Sequence, residues 1–122
     1  MGVGQGAPAP AAAGGLKYNA GKPKLSLVDS EALTELGEVL TFGAQKYASH
    51  NWRKGIPLSQ ILDALMRHVA AYNRGEDVDP ESGRSHMAHA MCNAMFALWM
   101  QKHRPDLDDR FKAKPPAAPK EP

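Results

Sequence analysis

GEDVDPESGRSHMAHAMCN, residues 75–93, is the stretch on which the reading of this chain turns. Its first half is acidic and turn-forming: Glu76, Asp77, Asp79 and Glu81 lie around Asp79-Pro80 and Ser82-Gly83. Its second half opens a helix whose first two turns carry His86 and His89. From Met87 to Met100 that helix is apolar nearly all round, with His89 and Asn93 as exceptions. At about 100° per residue, His86, His89 and Asn93 fall on one stripe. A helix apolar on its other faces is a buried one. Polar groups there must be bonded, hold a ligand or cost stability. Loop acids beside imidazoles suit a divalent cation, its water and a polyphosphate. The plainer reading has the acids solvating a surface loop and the histidines satisfied within a core. Any one residue alone favours that reading; their conjunction favours a chemical site.

Length and composition bound what surrounds this stretch. A chain of 122 residues holds one domain at most. With 15 basic and 13 acidic side chains the formal charge is +2, which names no partner and lacks the basic stripe of a nucleic-acid binder. The single cysteine, Cys92, rules out an internal disulfide framework and reads as a small core residue. No signal peptide is expected, and the last helix is too short and interrupted to span a bilayer. A cytoplasmic protein, in the host cell if phage-encoded, is the expectation.

Residues 1–15 are almost wholly Gly, Ala and Pro without charge, and residues 112–122 share that character with added lysines. Both are expected to be disordered tails around a working domain of residues 16–111. A domain that small, with one helix apolar all round, calls for a homodimer or homotetramer. In Leu16–Leu27, Lys17, Lys22 and Lys24 surround a turn marked by Asn19, Gly21 and Pro23. That segment either closes over an anion or is a solvated linker. Asp29 caps a first helix over 30–47, with Leu33, Leu36, Val39, Leu40 and Gly43 inward. Glu31 and Glu38 read as solvated; Glu35 stays open between solvent and metal.

Next comes Lys46 to Gly55, in which Trp52 stands among polar and cationic residues. Its ring can stack on a base while Lys46, Arg53 and Lys54 meet phosphates, or it plugs a helix junction; neither excludes the other. Pro57 and Ser59 start a second helix that runs to Arg74 and stops at Gly75. Ile61, Leu62, Leu65, Met66, Val69 and Tyr72 form its apolar arc, with His68 half-buried at the rim. Asp63 and Arg67 are either a weak i, i+4 ion pair or a metal carboxylate and a phosphate guanidinium. The third helix spans about 85–103 and ends before Pro105. With no strand-period segment, the chain is an all-α bundle of three main helices plus short terminal elements.

These blocks also carry a resemblance. GLKYNAGKPKLSLV (15–28), LTFGAQKYASHNWRKG (40–55), RHVAAYNRGEDVDPESG (67–83) and SHMAHAMCNAMF (85–96) together resemble the phage and bacterial dATP/dGTP diphosphohydrolase family. That family includes the phage MazZ proteins and belongs to the MazG-like all-α nucleotide pyrophosphatases. The resemblance covers nearly all of Leu16 to Trp99. It implies a helical fold that oligomerises, cleavage of a deoxypurine triphosphate to monophosphate and pyrophosphate, and two or more Mg²⁺ or Mn²⁺ ions. MazG-like enzymes typically hold metal through E-x-x-E on one helix and E-x-x-D on the next. Here Asp63 with Arg67 or His68 stands at the first pair, and His86 with His89 at the second. The loop acids Glu76, Asp79 and Glu81 must then supply much of the negative charge.

The expected site follows from the charge of a triphosphate. Glu76, Asp79, Glu81, His86 and His89 form the metal- or water-activating group, with Asp63 and His68 as further metal candidates. Lys22, Lys46, Arg53, Lys54 and Arg67 are the phosphate group, and Asn51 with Trp52 the base group. Two rivals stand beside this reading: a metal phosphohydrolase cutting at another position, and a non-enzymatic helical module that binds a nucleotide or a partner.

Overall fold

Asp29 sits in extended backbone, and its carboxylate accepts the Ala32 amide at 2.8 Å. That bond satisfies a donor left open at a helix start and sets the beginning of α1, Ser30–Tyr47. The computed structural model describes residues 14–113 and holds two further helices: α2, Leu58–Asn73, and α3, His86–His103. Single 3-10 turns cover Leu25–Leu27, Asn51–Lys54 and Pro105–Leu107. Among the described residues there is no strand, only an antiparallel bridge between Val78 and Ser85. The all-α bundle is as expected. The expected tails, 1–15 and 112–122, fall mostly outside the described residues.

The chain's own capping chemistry explains the helix ends. Gly75 at φ +98° lets α2 turn off, with its amide on the Tyr72 carbonyl and the Glu76 amide on Ala71. Ser85 starts α3 by accepting the Met87 amide at 3.0 Å. The start of α2 has no cap of its own, because Pro57 precedes it. Asp109 reaches back from the end of the described chain instead, accepting the Ser59 amide at 2.8 Å and its hydroxyl at 2.6 Å.

α3 is the axis of the fold, packing on both α1 and α2 and more extensively on α2. Towards α1, Ala88 and Cys92 meet Val39, flanked by Leu36 and Leu40. Towards α2, Met100 meets Leu58 and Ile61, with Trp52, Ile56, Trp99 and Leu107 packed around them. Phe96 touches both groups and joins them into one core. Burial pushes the Cys92 thiol up to about 11, which fits an inert core residue.

Several apolar residues expected inside are not. Leu33 on α1 is 57% exposed and Met66 on α2 is 64% exposed, and Val69 and Tyr72 are also exposed. Nor is α3 covered all round, since Leu98 is 55% exposed. α3 has two helical neighbours, so each outer helix buries only the side that faces α3 (α2 contributing Leu58, Ile61 and Ala71).

Gly55 is the tightest backbone position. It has φ +108°, and a β-carbon there would lie 2.6 Å from Arg104 Nη1 and 2.8 Å from Leu107 Cδ1. Gly55→Ala therefore destabilises the fold by at least about 1 kcal/mol, chiefly through backbone strain at positive φ, with the side-chain ends of Arg104 and Leu107 pushed aside. Thermal unfolding monitored by circular dichroism checks this; an unchanged melting temperature contradicts it.

Candidate functional site

The acidic loop 76–85 folds into a small turn because its backbone bonds to itself. The Asp79 amide donates to the Arg84 carbonyl at 2.8 Å, and Gly83 donates to the Asp79 carbonyl at 2.8 Å. The His86 amide donates to the Asp77 carbonyl at 2.9 Å, which sets the first residue of α3 directly against the loop. Two surface ion pairs tie the loop to α1: Lys46 to Glu81 at 3.1 Å, and Arg84 to Glu38 at 3.3 Å.

Against this loop His86 is buried, at 4% exposure, and both ring nitrogens are engaged. Its Nε2 lies 2.7 Å from Glu76 Oε1. A carboxylate only accepts, so Nε2 carries the proton and Nδ1 is left with its lone pair. That lone pair faces His68 Nδ1, on α2, at 2.9 Å. A divalent ion, if bound here, would be held by an imidazole lone pair from each of two helices. The pair thus has either of two states: a hydrogen bond from His68 to His86, or two lone pairs turned on a shared cation. His68, Asp79 and His86 each bring one ligand-competent atom within 4.8 Å of the others. Two imidazoles and a carboxylate fit Mn²⁺ better than Mg²⁺, which prefers oxygen.

His89, one turn further along α3, stacks on His68 with ring centroids 4.5 Å apart and planes 4° from parallel. Its Nε2 lies 2.6 Å from the Ser82 hydroxyl and 3.7 Å from Asp79 Oδ2. Burial lowers the proton affinity of His68, and the neighbouring His89 and His86 lower it further. Burial likewise lowers that of His89, against the opposing pull of Asp79 and Glu81. For Asp79, burial pushes upward, but the Ser82 amide and hydroxyl with His89 and His68 outweigh it and hold the carboxyl below its usual range.

The remaining expected site residues fall elsewhere. Glu76 is exposed but bonded to His86, whereas Glu81 is exposed and paired with Lys46. Asp63 and Arg67 are exposed on α2, and among the described residues neither forms an ion pair. Lys22 is exposed in the turn before α1. Asn51 and Trp52 are half-buried; Trp52 stacks on Phe96 at 5.0 Å and meets Trp99 edge-on at 5.2 Å. The Arg53 guanidinium lies over the Trp52 ring at 4.4 Å, and Lys54 is exposed beside it. His89 and Phe96 are about 10 Å apart along α3, so Phe96, on which Trp52 stacks, stands about two turns from His89. Asn93, on the polar stripe, donates to the His89 carbonyl at 2.9 Å and anchors the helix rather than a ligand. Sequence reasoning missed Ser82. Its signal was there: Asp79 three residues ahead of Ser82 is a side-chain-to-backbone turn, with the Ser82 amide on Asp79 Oδ2 at 3.0 Å.

Such an arrangement defines a small helical domain with a histidine–carboxylate cluster that could hold a divalent cation. The family model described as dATP/dGTP diphosphohydrolase, N-terminal, matches residues 12–110. The chain belongs to that family. It is similar to the dATP/dGTP diphosphohydrolase of Salmonella phage PMBT28, with 42% identity over 96 residues, covering 79% of this chain and 33% of the relative. The chain thus spans about a third of that relative's length. No solved structure matches it significantly. Among the described residues no helix is long and apolar enough to cross a membrane.

The lowered proton affinities of His68 and His89 fix a pH dependence. The unfolded chain binds protons at these groups more readily than the folded one below about pH 6.5, so stability falls as pH drops through that value. Asp79, held low, stays ionised in this window. Acidification from about pH 7.5 to about pH 5.5 therefore lowers the melting temperature, and His68→Gln flattens the slope. A melting temperature that is flat or rises on acidification contradicts this.

Proposed function

We propose that this chain is a metal-dependent diphosphohydrolase of purine nucleoside or deoxynucleoside triphosphates, converting dGTP, GTP or dATP to monophosphate and pyrophosphate. The reading places it in phage-type nucleotide metabolism, in the host cytoplasm. The observation that carries it is the convergence of His68, His86 and Asp79 at metal-ligand spacing, in a chain of a family whose description names this reaction. The printed name of the phage relative supports the substrate class.

In this reading His68, His86 and Asp79 hold a divalent ion, Mn²⁺ in preference to Mg²⁺. When bound, such an ion offsets phosphate charge and lowers the pKa of an attacking water. Glu76 keeps the His86 lone pair turned inward, and a carboxylate behind a ligating imidazole raises its basicity. His89, unprotonated near neutral pH, takes the proton from water as its oxygen attacks the α-phosphorus. The bond from the α-phosphorus to the bridging oxygen then breaks, and pyrophosphate leaves with the electron pair. Lys46 exchanges Glu81 for phosphate, which frees that acid for the cation. Lys22, Arg53, Lys54 and Arg67 line the approach, and Asn51 with Trp52 receives the base. Asp63, exposed on α2, is an outlying candidate for a second ion.

Incubation with nucleoside triphosphates and Mn²⁺ or Mg²⁺ yields monophosphate and pyrophosphate, faster with Mn²⁺. Asp79→Asn and His86→Ala each lower kcat on the order of 10²-fold or more, whereas Lys54→Ala raises KM more than it lowers kcat. Tripolyphosphate as product, or wild-type turnover by His86→Ala, overturns the reading. A second reading has this domain bind the nucleotide without cleaving it, and the match to only 33% of the phage relative favours keeping it. Nucleotide binding with no product under either metal selects that reading.

The exposed apolar residues on α1, α2 and α3 support self-association, and we infer a homodimer or homotetramer that covers Met66, Val69 and Tyr72. Light scattering at micromolar concentration gives a multiple of the chain mass, and Met66→Glu shifts it towards the monomer. A fully active wild-type monomer contradicts this assembly.

A further inference from the structure

His50 takes no part in the reaction as proposed, yet the backbone is strained to place it. We propose that His50 is a positioning residue: it accepts Arg53 Nε–H and so holds the guanidinium with both Nη groups presented as a fork for a phosphate of the substrate. The inference rests on the diphosphohydrolase reading for the identity of that phosphate.

The connection between α1 and α2 supplies the first observation. Ala48 at φ +108° and His50 at φ +59° are the non-glycine residues with positive φ among the described residues. A side chain in that region strains the backbone. From there the Asn51–Lys54 turn closes with the Arg53 amide on the His50 carbonyl at 3.0 Å, which brings residue 53 back towards residue 50. Arg53 Nε then donates to His50 Nδ1 at 3.2 Å. A guanidinium only donates, so the imidazole meets it through the lone pair at Nδ1.

Aromatic contacts fix the plane of the same guanidinium. It lies over the Trp52 ring at 4.4 Å and over the Trp99 ring at 5.6 Å, and those two rings stand 83° apart. Stacking alone leaves a guanidinium free to turn within its own plane; the bond from Nε to His50 stops that rotation. Arg53 is exposed, and among the described residues no carboxylate pairs with it and Nε–H is its one side-chain hydrogen bond. Its two Nη groups are thus left to an acceptor from outside. Two N–H groups in a fixed fork match the oxygens of a phosphate, and a fork held in place before binding loses less entropy on binding. Lys54, exposed beside it, adds charge of the same sign.

Two substitutions separate the acceptor from the backbone. Glycine and asparagine both tolerate φ +59°, but only asparagine puts an acceptor, Oδ1, where histidine has Nδ1. Isothermal titration of the metal-free, full-length protein with inorganic tripolyphosphate reads the difference. His50→Gly keeps the wild-type melting temperature and weakens binding about fivefold, whereas His50→Asn stays within about twofold of wild type. Arg53→Lys, which keeps the charge but loses Nε–H and the fork, weakens binding about tenfold, and in that background His50→Gly has no further effect. In turnover, His50→Gly raises KM about fivefold with kcat within about twofold. Tripolyphosphate binding by His50→Gly at wild-type strength, His50→Asn as weak as His50→Gly, a further loss in the Arg53→Lys background, or a wild type that binds no tripolyphosphate overturns the proposal. If the wild-type protein hydrolyses no nucleotide, the diphosphohydrolase reading fails, and the tripolyphosphate titrations still decide the role of His50.

Discussion

His86 is almost wholly buried at the first turn of α3, and both of its ring nitrogens face protein. A buried imidazole is tolerated only where its donor and acceptor are both satisfied. Glu76 and His68 do this, and among the described residues no buried side-chain polar atom lacks a partner. The loop must fold back so that Glu76 meets Nε2, and α2 must run close enough for His68 to meet Nδ1. The hydrogen bond from the His86 amide to the Asp77 carbonyl closes the same arrangement through the backbone. One side chain thus ties the loop to two helices, and in that arrangement His68, His86 and Asp79 each bring one ligand-competent atom within 4.8 Å of the others.

The rest of the fold is thin around this point. Its fully buried large side chains are Ile61 and Met100, both far from the histidines in the lower part of the core. Near the histidines the packing rests on Val39, Ala88 and Cys92, small or branched residues that let α1 and α3 approach closely. The ion pairs Lys46–Glu81 and Arg84–Glu38 are exposed, and such pairs contribute little to stability. Their consequence is positional. They hold the acidic loop against α1, at Glu38 in its middle and Lys46 in its last turn.

Helix bounds were legible in the sequence because caps are local. Asp29, Ser85 and Gly75 each act within three or four residues, and each stands where the corresponding helix begins or ends. The inward faces were less legible. Leu33, Met66, Val69 and Tyr72 fit a helical stripe, but periodicity does not say which part of a stripe a neighbour covers. The acids and the helix histidines of the 75–93 stretch were visible as a group. The partnership of His68 with His86 was not, because it crosses 18 residues and depends on how α2 and α3 pack. Trp52 read equally as a base platform and as a plug, and its stacking on Phe96 could not be seen before α3 was placed. The MazG-like resemblance pointed towards carboxylate pairs on helices. This chain instead gathers two imidazoles from two helices and one carboxylate from a loop.

That donor set is the central claim, and anomalous scattering from crystals grown with Mn²⁺ tests it most directly. The account predicts a manganese peak within bonding distance of His68, His86 and Asp79, with Glu76 still on His86 Nε2. A peak held by carboxylates alone, such as Glu35 and Glu38 of α1, with none at the histidines, would contradict it.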